Sequence, residues 1–227
     1  MHIELDPQLL EEVVFREVRR REHAGDQSVF RDYHDRVDAL YGLPEDDDRE
    51  TAFRDVHAEF FDRLGLDQVV RNCLNEFPLL YEKVHRFEFM KALTRKEEGA
   101  ELFVRKDDAE GGRQYRVAVL RLRAEVFLDA ERLATLTRSE LFHISDMVDP
   151  AFGYKPDFGD SVDDEDIAQK NLIRDRYSIL WSLYIDCRLA DTDRAPATIL
   201  KQGRSLLEEA FAGFGDEHVN VLLETLA

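Results

Sequence analysis

The chain has 227 residues and a formal charge of −18, with 49 acidic against 31 basic side chains. That excess opposes the neutralisation of phosphates and docking on anionic lipid, so neither nucleic acid nor a membrane is an expected partner. The length suffices for a sizeable core, to which 15 Phe, seven Tyr and one Trp contribute, and no low-complexity tract or linker interrupts it.

The residues Met1-His2-Ile3-Glu4-Leu5-Asp6-Pro7 have neither the basic nor the apolar region of a signal peptide. No stretch reaches the roughly 18 apolar residues of a membrane span. A cytoplasmic location is expected. Pro7 opens a helix that runs to about Glu22. Its run Arg16-Glu17-Val18-Arg19-Arg20-Arg21 mixes bases with an acid and reads as a solvated face. Asp26 or Ser28 caps a second helix, which ends at Tyr41-Gly42-Leu43-Pro44. A third follows Asp46-Asp47-Asp48 and reaches Leu64-Gly65, and a short fourth covers residues 68–77. Strands are expected near 84–92, 100–105 and 114–128, with Gly111-Gly112 in the turn before the last. Within the last, Ala124-Glu125-Val126-Phe127-Leu128 extends the strand or forms another. Helices then cover about 129–148, 167–190, 196–212 and 216–226, with a loop over 150–166. The fold class is α+β: a helical N-terminal half, a small antiparallel or mixed sheet, then C-terminal helices. One domain over 1–227 is expected, with a helical part at 1–80 and the sheet and later helices at 81–227.

The helix over 129–148 carries the chemistry. Asp129 is a plausible N-cap. At about 100° per residue, Leu133, Leu136, Leu141, Ile144, Met147 and Val148 share one apolar face, and Glu140 lies in its middle. His143 and Ser139 flank that face, with Asp146 just beyond Ser139. A carboxylate at such a position needs a partner: a metal-bound water, a His, an Arg or a hydroxyl. A structural ion pair would satisfy it equally. In the later helix, Ser178, Ser182 and Asp186 make a polar stripe among Ile173, Tyr177, Leu180, Trp181, Tyr184 and Ile185. Asp186 therefore also needs a partner, and Arg188, Arg174 and Arg138 are the ordinary ones.

Ser139-Glu140-Leu141-Phe142-His143 resembles the H-E-x-x-H helix of zincin-type, gluzincin-like metallopeptidases, with Ser139 at the position of the first His. The likeness covers about residues 85–190, including a strand ahead of the motif helix. It implies a site in which Glu140 is the general base and His143 a metal ligand. It implies Asp186 as the acidic ligand from a later helix. Asp149, six residues after His143, is a weaker candidate, since Asp146 stands where a metzincin turn needs Gly and Pro150 favours helix termination. Ser139 is a poor zinc ligand, so zinc would be held weakly or not at all. Asp146 could complete a harder site for manganese, magnesium or calcium. Replacing Ser139 by His should then raise zinc affinity about tenfold or more.

Two functions follow. One is an altered metal-dependent peptidase in which the metal polarises a peptide carbonyl and Glu140 takes a proton from water. The other is a non-catalytic zincin-like scaffold for protein binding or regulation. A peptide or protein is the partner in both. His57, Glu59 and His85 are weaker site candidates, and Gly153-Tyr154-Lys155-Pro156 reads as a loop lining a cleft near the motif. The oxygen-rich run 160–166 lacks the ligand spacing of an EF-hand. Cys73 and Cys187 lack metal-knuckle spacing and fit a reducing compartment.

Overall fold

The computed structural model describes residues 2–45, 47–107, 112–155, 167–192, 198–212 and 221. The run 160–166 and the helix expected over 216–226 lie outside these residues, apart from the single helical position 221. The architecture is α+β, with a four-stranded mixed sheet and eight α-helices among the described residues.

Strand β1 (His2–Leu5) is followed by α1 (Pro7–His23), α2 (Gln27–Leu40), α3 (Asp47–Arg63), α4 (Gln68–Asn75) and α5 (Pro78–Lys83). Then come β2 (Arg86–Lys91), β3 (Gly99–Asp107), β4 (Arg113–Leu122), α6 (Ala130–Val148), α7 (Ile167–Ala190) and α8 (Ile199–Ala210). The sheet order is β1-β2-β4-β3, with β1 and β4 parallel to β2 and β3 antiparallel to β4. Gly112, at φ +81°, takes the left-handed backbone at the end of the β3–β4 turn.

The local start signals act as read. Pro7 is in the first turn of α1, and the Asp6 side chain accepts from the Gln8 N–H at 3.1 Å. Its other oxygen accepts from the Lys91 N–H at 3.1 Å, which ties the start of α1 to β2. Asp26 caps α2 and Asp129 caps α6, accepting from the Arg132 N–H at 3.0 Å. Along α1, Leu9, Leu10, Val13, Val14 and Val18 form a buried stripe, and α1 packs on α2, α3 and β2. Glu17 is buried in the same helix. Burial pushes its carboxyl up, but hydrogen bonds from Arg20 and Arg21 outweigh this and hold it below the usual carboxylate range. The stretch read as a solvated face thus contains a buried, paired acid.

Three segments differ from the sequence reading. Residues 2–5 form a strand, held by Ile3 and Leu5 in register with Phe87 and Phe89. Residues 124–128 are a 3₁₀ segment, closed by Val126 N–H to Arg123 C=O and Asp129 N–H to Val126 C=O, each at 3.1 Å. The strand therefore ends at Leu122 and does not lead directly into α6. The helix read over 68–77 stops at Asn75, and Pro78 starts a separate short helix.

The chain divides into two compact units, Met1–Thr137 and Arg138–Ala227, and α6 runs across the division. The first holds the sheet and α1–α5. In it Phe61 meets Phe127 edge-on at 6.1 Å, and Phe60, Phe87, Phe89, Leu120 and Leu122 are fully buried. The second holds the C-terminal half of α6 with α7 and α8. There α7 has two apolar faces. Trp181, Ile185 and Leu189 pack with Phe142 and Met147 of α6, while Leu183 packs with Leu207 of α8 and Phe211.

Candidate functional site

The C-terminal half of α6 lies against the Trp181 face of α7. Asp146, 4% exposed, is the buried carboxylate of this helix. The Trp181 Nε1–H donates to it at 3.0 Å, and Arg188 Nη1 donates to its two oxygens at 2.8 and 3.0 Å. The Arg188 guanidinium also lies over the Phe142 ring at 4.3 Å and near the Tyr184 ring at 5.3 Å. Both partners are thus satisfied. The charge is paired, the indole N–H has an acceptor, and the guanidinium plane rests on aromatic faces.

His143 packs edge-on against Trp181, with ring centroids 4.7 Å apart. Burial lowers its pKa from the ordinary value to about 4, against an opposing pull from the Asp146 charge. The imidazole is therefore neutral at pH 7. Phe152 stacks on Trp181 at 5.7 Å, and Tyr154 and Tyr177 approach it at 5.4 and 5.8 Å. The loop read as a cleft lining supplies Tyr154 to this aromatic cluster. Ser139 is half-buried, and so is Glu140, which has a hydrogen-bonding or electrostatic interaction. Asp149 lies in the turn after α6, where its Oδ1 accepts from the Ala151 N–H at 2.8 Å.

Asp186 faces α8. A Cβ added at Gly203 would lie 2.9 Å from Asp186 Oδ2 and 2.7 Å from Leu183 Cδ1, so the glycine lets α8 close on this stretch of α7. Burial raises the Asp186 carboxyl to about 7. Among the described residues no hydrogen bond or ion pair joins Asp186 to His143, or to Arg188 and Arg174, two of the partners read for it. Arg188 belongs to Asp146 instead. Burial also pushes the Cys187 thiol up, helped by the Asp186 charge, and neither cysteine forms a disulfide.

Asp146 is engaged by Arg188 and Trp181, His143 leans on the indole, and Asp186 turns to α8. Among the described residues, no group of three or more His, Cys, Asp or Glu side chains is placed to hold a metal. The weaker candidates lie in the other unit with partners of their own. His57 Nε2 is 3.1 Å from the Tyr33 hydroxyl, Glu59 pairs with Arg36, and His85 Nδ1 accepts from the Arg116 N–H at 3.3 Å.

Sequence reasoning missed the Asp146–Trp181–Arg188 group. Its signal was present: three residues able to satisfy one another on two helices expected to pack. The H-E-x-x-H likeness drew attention to His143 and Asp186 instead. Comparison with protein-family models, curated proteins and solved structures gives no match. Among the described residues, no helix is long and apolar enough to cross a membrane.

Proposed function

We propose that the chain is a non-catalytic scaffold for protein binding or regulation, zincin-like in the motif of α6 alone. The carrying observation is the engagement of Asp146 by Arg188 and Trp181. Asp146, a group that a metal centre could recruit from α6, serves here to hold α6 to α7. The neutral, indole-packed His143 supports the same reading. So does Asp186, whose carboxylate lies against Gly203 of α8 and makes no hydrogen bond to the imidazole.

Zinc titration of the native protein and of Ser139→His, followed by calorimetry with a peptidase assay in parallel, tests this. Equal and negligible binding by both proteins, with no cleavage, is the expected result. Under the peptidase reading, a second imidazole one turn before His143 would strengthen binding about tenfold or more. Stoichiometric tight zinc in the native protein, or that gain in Ser139→His, would return the balance to an altered hydrolase with Glu140 as its base.

A further inference from the structure

Strand β3 is the last of its sheet. One side pairs with β4, and among the described residues no strand pairs with the other. An unpaired edge presents free backbone N–H and C=O groups to any strand that fits. This edge also exposes apolar side chains at its centre: Phe103 is 40% and Val104 60% exposed. Its central residues read Glu101-Leu102-Phe103-Val104-Arg105, with an acid at one end, a base at the other and three apolar residues between.

That order is complementary to itself when reversed. We propose that two copies of the chain pair antiparallel along β3, with a two-fold axis at Phe103, so that the two sheets become one. Phe103 then lies opposite the partner's Phe103. Leu102 faces the partner's Val104, and Glu101 faces the partner's Arg105. Each apolar residue meets an apolar one and each charge meets its opposite, the pairings that stabilise adjacent strands. Moving the axis by one residue destroys the match. An axis at Leu102 sets Glu101 against Phe103, and an axis at Val104 sets Phe103 against Arg105.

The charges are already ordered within each copy. Glu101 is bonded by Arg121, and Arg105 pairs with Glu88 at 3.2 Å. Pairing would therefore extend an alternating row: Arg121, Glu101, the partner's Arg105, the partner's Glu88. Charged residues on an edge ordinarily discourage promiscuous pairing. Here they reject other strands and registers while admitting a second copy. The surface lies wholly in the first unit, so the inference stands or falls independently of the reading of α6.

Sedimentation equilibrium of the full chain over a range of concentrations tests it. Native protein is expected to show a monomer–dimer equilibrium. Glu101→Arg and Arg105→Glu each place like charges across the axis twice and should each weaken dimerisation by about tenfold or more. An equimolar mixture of the two variants restores both opposite-charge pairs and should recover a heterodimer. Phe103→Lys breaks no ion pair within the chain, puts two ammonium groups on the axis, and should also leave monomer. Circular dichroism confirms that each variant is folded. Native protein that stays monomeric throughout overturns the proposal. So does a dimer that Phe103→Lys leaves intact, or a mixture of folded single variants that fails to associate.

Discussion

Replacing Asp146 by Ala removes the acceptor shared by Trp181 and Arg188. The carboxylate is 4% exposed and takes donors at 3.0 Å from the indole and at 2.8 and 3.0 Å from the guanidinium. Breaking a buried pair by deleting one partner costs about 3–5 kcal/mol, because the other charge is left buried. The Arg188 side chain is 33% exposed, so it regains part of its hydration, and Phe142 and Tyr184 still lie beneath it. The expected loss is therefore smaller, roughly 2–3 kcal/mol, including the orphaned indole N–H. For a chain of this size that corresponds to a fall in Tm of about 5–10 °C. Arg188→Ala should cost at least as much, because it leaves the more deeply buried carboxylate with only the indole. Urea unfolding followed by tryptophan fluorescence is the assay, since Trp181 is the only tryptophan and reports on its own unit. The double variant should lose less than the sum of the two single losses, by more than about 1 kcal/mol of coupling. A loss below about 0.5 kcal/mol for Asp146→Ala, or single losses that add within that margin, would refute the pairing as a stabilising contact.

Two further outcomes follow from the α7–α8 side. The folded-state pKa of Asp186 is raised by burial to about 7 from its ordinary value of 3.8. As pH rises between those values, the unfolded chain releases the proton and the folded chain keeps it, so folding loses stability across this window. The full penalty stands above about pH 7. Asp186→Asn should therefore raise Tm at about pH 8, and the gain should shrink towards zero near pH 4. Thermal melts of both proteins across this range check it, and a gain independent of pH would remove the carboxyl as its cause. Gly203→Ala adds a Cβ 2.7 Å from Leu183 Cδ1 and 2.9 Å from Asp186 Oδ2. Overpacking of about 1–3 kcal/mol should exceed the roughly 1 kcal/mol of helix propensity gained, and a urea midpoint at or above the native one would contradict this.

Much of the helical frame was legible in the sequence. Pro7, Asp26 and Asp129 mark helix starts: the proline sits in the first turn of α1, and each aspartate accepts from an N–H three residues on. The apolar period over 129–148 set the extent of α6 and most of its buried face, with Leu133, Leu141, Ile144 and Val148 buried. Such signals are local and need no knowledge of the rest of the fold. β1 was not legible because it has four residues and gains its hydrogen bonds from a parallel strand more than eighty positions away. The 3₁₀ segment was not legible either. Its apolar residues read as a continuation of β4, and only the backbone bonds from Val126 to Arg123 and from Asp129 to Val126 set it apart.

The candidate site divides in the same way. That α6 and α7 each hold a carboxylate among apolar residues is a property of the sequence. Which carboxylate meets which base was decided by how α7 is turned about its own axis. Trp181 and Asp186 are five residues apart, which separates them by about 140° around a helix. Once Trp181 and Arg188 face α6, they take Asp146 across 35 and 42 positions of sequence. Asp186 is carried round to Gly203 on α8. A sequence motif records spacing along one helix, whereas pairing between helices depends on their mutual rotation, which the packing of all their apolar faces sets at once.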